Sequence, residues 1–284
     1  MVYRWLHYIP KPLALFFCYC ISQILYWASS DLRKLVYSNM KELLTEKPSK
    51  KLHRLTRSYF YQMTVVLYEI LIESSSLDKV ENNKFDVKGE NYIKQELDQG
   101  KGVIIFTPHV GNFFYYYWYL TQRYPCLTVA TMGSSELRPL YSIFENMGCR
   151  ALDYDEVPAV EIVRQLKRHL ANNGVVFLLG DFWRPNFPPA RFFGRSTRTP
   201  AGSAMLSLEG KVPIIPMLGY RKKRFKHDIQ FYAPVYLYQK WSPSQRSQAI
   251  NELNEWLEEM VKTKPDQWFY WFNVNERWEN ENED

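Results

Sequence analysis

The feature that most constrains this chain is a strand and helix alternation that begins at Gly102 and runs to Met217. Apolar runs at Val103–Thr107, Leu127–Thr131, Val175–Leu179 and Pro213–Met217 are short and bounded by turn residues, so they read as buried strands. Between them, helices read from Asn112, near Leu137–Met147, over Pro158–Ala171 and over Ala201–Leu208. This pattern predicts an α/β fold in which a mainly parallel central sheet is flanked by helices. Functional groups on such sheets gather at the C-terminal ends of strands, where His109 and Asp181 fall.

His109 lies in Thr107-Pro108-His109-Val110-Gly111-Asn112-Phe113-Phe114, where Gly111-Asn112 reads as a turn opening a helix. A neutral imidazole at a strand end can take a proton from an alcohol or amine that attacks an activated acyl group, provided something fixes its tautomer. A structural histidine fits the same position. Asp181, in Gly180-Asp181 after Val175–Leu179, is either the orienting carboxylate or a turn cap, and Glu90 is another carboxylate to consider. The aromatic run Phe113 to Tyr119 puts rings all around the helix after His109, either as plain core or as the wall of an acyl channel.

Ahead of this pattern, Leu13–Ala28 is apolar but interrupted by Ser22 and Gln23, and falls short of the ~20 residues a spanning helix needs. Arg4 and Lys11 precede it and Arg33 and Lys34 follow it, so charge gives no orientation. An embedded or interfacial anchor is the first reading, a buried helix of a soluble domain the second. Bulky aromatics and Gln23 disfavour a signal peptide. Aromatics make up 17% of the chain, which suits work against lipid or acyl chains and equally suits a large aromatic core.

Asp31–Leu44 and Lys51–Ile72 read as helices, His227–Tyr238 as antiparallel strand material, and Ser244–Lys262 as an amphipathic helix. The organisation expected is an N-terminal membrane-associated helix over 1–30, one large domain over 31–278 and a polar tail over 279–284. Arg221 to His227 concentrates basic residues, as a phosphate site or a solvated turn between strands. Nucleic acid is disfavoured, because no nucleic-acid-binding pattern accompanies that charge. Cys18, Cys20, Cys126 and Cys149 show no metal-ligand pairing and fit reduced thiols in a protein facing the cytoplasm.

Four blocks carry a resemblance. They are His109-Val110-Gly111-Asn112; Val175–Asp181 followed by Arg191-Phe192-Phe193-Gly194 and Thr199-Pro200-Ala201-Gly202; Val212-Pro213-Ile214-Ile215-Pro216; and Pro265-Asp266-Gln267-Trp268-Phe269-Tyr270-Trp271. In order and spacing they resemble the lysophospholipid acyltransferase superfamily, most closely its lipid A secondary (lauroyl and myristoyl) acyltransferase branch, over roughly residues 95–278. The resemblance implies a glycerolipid acyltransferase-like fold with His109 as base and Asp181 as its partner. It also implies Asn112, Arg138, Arg184, Arg191, Phe193 and Gly194 as substrate-binding positions, the arginines toward phosphate. No metal or redox cofactor is implied. The donor would be an acyl thioester on acyl carrier protein or coenzyme A, the acceptor a hydroxyl or amine of a lipid-like molecule, and the place the cytoplasmic face of a bacterial inner membrane.

Three departures stand against this pattern. Phe114 occupies the place of the motif's acid, the arginine expected after the second strand falls near Ser134 and not at Arg138, and Phe272-Asn273-Val274-Asn275 replaces basic residues after the terminal tryptophan. They support a second reading, a non-catalytic relative that binds a lipid, an acyl carrier or a partner enzyme. A hydrolase built on His109 is disfavoured, since no G-x-S-x-G elbow exists in the chain.

Overall fold

The four apolar runs form the middle of a seven-stranded sheet in the computed structural model, which describes residues 9–132 and 138–279. The N-terminal part holds helices α1 (Lys11–Ala28), α2 (Ser30–Leu43), α3 (Ser49–Tyr68) and α4 (Leu77–Lys84), then strand β1 (Phe85–Lys88) and α5 (Asn91–Leu97). The alternating region follows as β2 (Val103–Thr107), α6 (Phe113–Thr121), β3 (Cys126–Ala130), α7 (Arg138–Glu145), β4 (Ala151–Asp153), α8 (Ala159–Ala171) and β5 (Val175–Leu179). After it come β6 (Pro189–Phe192), β7 (Arg195–Arg198), α9 (Gly202–Gly210), β8 (Ile214–Lys223), β9 (Lys226–Phe231), α10 (Leu237–Lys240) and α11 (Arg246–Thr263).

The sheet order is β1-β9-β8-β2-β5-β3-β4, with every pairing parallel except β8 against β9. The chain is α/β, as the alternation predicts. Every residue of β2 is buried, the signature of a strand covered by helices on both faces. Its side chains alternate between two cores: Ile104 and Phe106 meet α8, α9 and α11, while Val103 and Ile105 meet α6. On α8 the stripe Ile162, Leu166, Leu170 supplies the helix side of the first core, and truncating Leu166 to Ala would cost about 2–5 kcal/mol. Strand β2 pairs with β5 from Val103↔Val175 to Thr107↔Leu179, so both strands end at the same level. Two loops remote in sequence therefore leave the sheet side by side, one carrying His109 and the other Asp181.

Helix α6 resolves the two readings of its aromatic run. Tyr115 to Leu120 are all buried core, and their hydroxyls are partnered: Tyr115 donates to the Glu69 carbonyl (2.7 Å) and Tyr119 to Glu90 (2.9 Å). Only Phe113, Phe114 and Tyr117 of the run border a cavity.

Some boundaries differ from expectation. The antiparallel strand after His227 stops at Phe231 instead of Tyr238; Val235 still bridges Ile214 before the chain turns into α10. Strand β8 extends to Lys223, so the basic run Arg221 to His227 is a hairpin whose turn residue Arg224 has φ 56°. Arg221 and His227 are buried, while Lys222, Lys223, Arg224 and Lys226 are exposed around the turn.

Helix α1 lies on α3 through Ala14, Cys18 and Ser22, one stripe at four-residue spacing. The rest of it faces outward, with Phe16 58%, Ile24 66% and Trp27 67% exposed, so it is not an ordinary buried helix. Among the described residues no single helix is long and apolar enough to cross a membrane; α1 and α2 pass that test only together, bent by 92°. Arg4 and residues 280–284 of the expected tail lie outside the described residues.

Candidate active site

Two glycines set the loops that meet above β2 and β5. Gly111 has φ +65°, and a Cβ there would fall 2.5 Å from the Tyr116 hydroxyl and 3.0 Å from the Tyr220 backbone. At Gly180 a Cβ would sit 2.1 Å from the Phe106 ring, so only glycine lets the β5 loop lie this close to β2.

Asp181 receives two donors from His109, the ring Nδ1 at 2.6 Å on Oδ1 and the backbone N–H at 2.9 Å on Oδ2. The indole N–H of Trp268 adds a third at 2.6 Å, and Arg277 donates to the Asp181 carbonyl at 2.8 Å. Burial alone would push this carboxyl towards its neutral form. The positive charge available on His109 and the hydrogen bonds from His109 and Trp268 outweigh it and hold the group below the usual carboxylate range. With Nδ1–H given to Asp181, Nε2 carries the lone pair, the tautomer a general base needs. Edge contacts from Phe113 and Tyr270, both at 4.8 Å between ring centroids, hold the imidazole plane.

His109 opens onto a cavity of about 870 Å³ lined almost wholly by apolar side chains. Phe114 and Phe144 wall it from α6 and α7, Ile162 and Leu166 from α8, and Leu206 from α9. That volume lies in the upper part of the roughly 300–1,000 Å³ range of small-molecule pockets, and the lining suits a hydrocarbon chain.

Phe114 stacks on Phe113 and Phe144 at 4.8 and 4.9 Å and belongs to that wall. The acid missing from position 114 has its orienting place at Nδ1 filled by Asp181. Glu90 is committed elsewhere, to the hydroxyls of Tyr119 and Tyr124.

The other expected substrate contacts are placed differently. Asn112 is fully buried as the cap of α6: its side chain accepts from the Tyr115 N–H (3.3 Å) and donates to Glu69 (3.1 Å), and it does not line the cavity. Phe193 and Gly194, with φ 51° and 73°, are the two-residue turn between β6 and β7, where successive positive φ values match the strand twist. Phe192 is buried against Trp268 (6.0 Å), and Phe193 is half-buried beside the same ring (6.2 Å). Arg191 is exposed on β6 and contacts the Gly194 carbonyl, away from the cavity. Arg184 stands beside the cavity's edge residues Tyr154 and Phe182 but is paired with Asp155 at 2.8 Å. Arg138 opens α7 and is exposed, and Ser134 lies outside the described residues.

Sequence reasoning missed a second histidine and carboxylate pair beneath the His109 loop. His227 Nε2 donates to Glu69 (2.8 Å), and its Nδ1 meets the Tyr116 hydroxyl (3.0 Å); that hydroxyl accepts the Asn112 N–H (3.2 Å), and the Asn112 side chain donates to Glu69. The four residues close a ring with no solvent exposure beyond 1%. Burial opposes charge on Glu69, but His227, then Lys84 and Arg221, lower its carboxyl to about 2. Glu69 begins a π-helical turn, Glu69–Glu73, that continues α3. Nothing in the helical pattern of Lys51–Ile72 marks Glu69 as special. Trp268 was visible inside the Gln267-Trp268 block, but its contact with Asp181 depends on a C-terminal segment folding back: Gly111 N–H donates to the Gln267 carbonyl and Phe269 N–H to the His109 carbonyl.

Residues 1–279 match the model of the family described as bacterial lipid A biosynthesis acyltransferase. Among curated proteins, the phosphatidylinositol mannoside acyltransferase of Mycolicibacterium smegmatis is 32% identical over 145 residues, 47% of this chain and 45% of that protein. Its counterpart from Mycobacterium tuberculosis is 31% identical over 140 residues, 46% and 42% of the two chains. The match thus spans less than half the length of these relatives.

Proposed function

Because the chain belongs to the bacterial lipid A biosynthesis acyltransferase family, we propose that it moves a fatty acyl group from an acyl thioester, on acyl carrier protein or coenzyme A, to a hydroxyl or amine of a lipid-like acceptor. The observation that carries this reading is the His109–Asp181 pair at the edge of an apolar cavity. Nε2 takes the proton from the acceptor hydroxyl as its oxygen attacks the thioester carbonyl. The tetrahedral intermediate collapses with loss of the C–S bond, and the imidazolium returns its proton to the leaving thiolate. Ester and free thiol form, and His109 ends neutral. Asp181 remains ionised throughout, orienting the ring and balancing its transient charge. The acyl chain lies in the cavity past Phe114.

Lipid A in the family's description and the mannoside named for the relatives make a sugar hydroxyl of a membrane glycolipid the first acceptor to try. The outward apolar face of α1 supports peripheral or monotopic attachment at the cytoplasmic face of a bacterial inner membrane. The non-catalytic alternative drew on Phe114, and the occupied Nδ1 of His109 counts against it.

The test is acyl transfer from labelled acyl carrier protein and acyl coenzyme A to membrane lipid extract, comparing wild type with His109→Ala. Transfer that depends on His109 is the expected result. Transfer that survives the substitution removes His109 from the mechanism, and saturable lipid binding without transfer from either donor supports the non-catalytic alternative.

A further inference from the structure

A second groove, of about 630 Å³, runs between α1 and α3 and shares no lining residue with the cavity at His109. Its α1 side is Pro12, Phe16 and Tyr19, and its α3 side is Arg54, Arg57 and Tyr61. Neither helix contains an acidic residue. Lys50, Arg54, Arg57 and Tyr61 recur at four-, three- and four-residue steps, so α3 presents one cationic stripe along the groove. Arg57 donates to two neutral groups, the Gln23 amide oxygen and the Tyr19 hydroxyl, the latter at 3.1 Å. Among the described residues neither Arg54 nor Arg57 has a carboxylate within ion-pair distance. Asp266, which touches the lining through Ser58 (2.6 Å), is also engaged by Gln62 (3.2 Å).

Two properties meet here. Helix α1 turns Phe16, Ile24 and Trp27 outward and carries no charge beyond Lys11, while its neighbour offers guanidinium groups without counter-charges. A free anion would account for the arginines and not for the apolar face. A neutral lipid surface would account for the face and not for the arginines. An anionic amphiphile accounts for both.

We propose that the groove between α1 and α3 holds the phosphate headgroup of an anionic phospholipid within a bilayer, with Arg54 and Arg57 on the phosphate and the outer face of α1 in the acyl region. The proposal rests on the membrane attachment proposed above and adds to it a headgroup preference and a place for the headgroup.

The experiment is co-sedimentation of the full chain with vesicles of phosphatidylcholine alone or mixed with phosphatidylglycerol, for wild type, Arg54→Gln/Arg57→Gln and Arg54→Lys/Arg57→Lys. Each cation near an anionic surface multiplies partitioning by roughly five, so the glutamine variant is expected to lose about 25-fold on phosphatidylglycerol vesicles. Its binding to phosphatidylcholine is expected to stay unchanged, the lysine variant to keep most of the affinity, and the difference to fade at 1 M salt, where the Debye length is about 3 Å. Vesicle binding that is equal for wild type and glutamine variant overturns the headgroup site and leaves membrane attachment standing. No binding of wild type to either vesicle overturns both. Release by inorganic phosphate at constant ionic strength shows a free-anion site and overturns the lipid assignment.

Discussion

Asp181 holds His109 at two points, accepting its backbone N–H with one carboxylate oxygen and its ring Nδ1 with the other. A carboxylate that touches only the ring fixes the tautomer. One that also takes the main-chain N–H fixes where the ring is anchored, so the imidazole cannot drift from the cavity without breaking both bonds.

Asp181→Asn is therefore expected to lower kcat by on the order of 10³ to 10⁴-fold with little change in KM, because the amide can stabilise the wrong tautomer and no longer balances the imidazolium. Steady-state kinetics with a thioester donor check this. A variant within tenfold of wild type would mean that Asp181 only shapes the loop.

Restoring the motif's acid with Phe114→Glu is expected to reduce activity instead of raising it. Nδ1 is already taken, and the new carboxylate would replace a ring stacked between Phe113 and Phe144. A stability loss of about 1–3 kcal/mol is expected from introducing a poorly solvated polar group, read from urea unfolding. A rise in kcat would show that the acid at 114 is a missing part.

Removing one member of the buried ring exposes what it supports. Glu69→Ala leaves His227 and Asn112 without their shared acceptor and is expected to cost about 3–5 kcal/mol. Thermal unfolding monitored by near-UV circular dichroism measures it. A shift in Tm below about 2 °C would mean that the ring stores little energy.

Acid should weaken the fold through the same carboxylates. Glu69 falls from an ordinary 4.5 to about 2, and Asp181 is also lowered. Groups depressed on folding contribute stability that is complete above their unfolded pKa and lost as pH falls through the folded one. Glu69 thus contributes about 3 kcal/mol above pH 4.5 that drains away towards pH 2. Urea midpoints at pH 6 and pH 3 test the sign, and Glu69→Gln should flatten the dependence. Stability that climbs on acidification contradicts it.

The strands that frame the site were legible because they are buried on both faces, which forces continuous apolar runs such as Val103–Thr107 and Val175–Leu179. Strand β1 was not, since Phe-Asp-Val-Lys at a sheet edge alternates like any exposed segment. His109 and Asp181 could be paired from their places at strand ends, but the register that brings them together lies between residues 72 apart. Phe193 and Gly194 looked like substrate contacts because resemblance transfers positions and not directions, and a turn between two short strands leaves no periodic trace. Glu69 sits in an apolar helical stretch where one acidic residue reads as a solvated exception.

The fold-back of the C-terminal segment divides the site between what the sheet supplies and what the segment supplies. Trp268 and Arg277 add to the hold of His109 on Asp181, and both lie further along the chain than either partner. The sheet register that brings His109 and Asp181 together does not involve that segment, but the bracing of Asp181 does. Until that segment docks, Asp181 lacks the Trp268 indole on its carboxylate and the Arg277 guanidinium on its carbonyl.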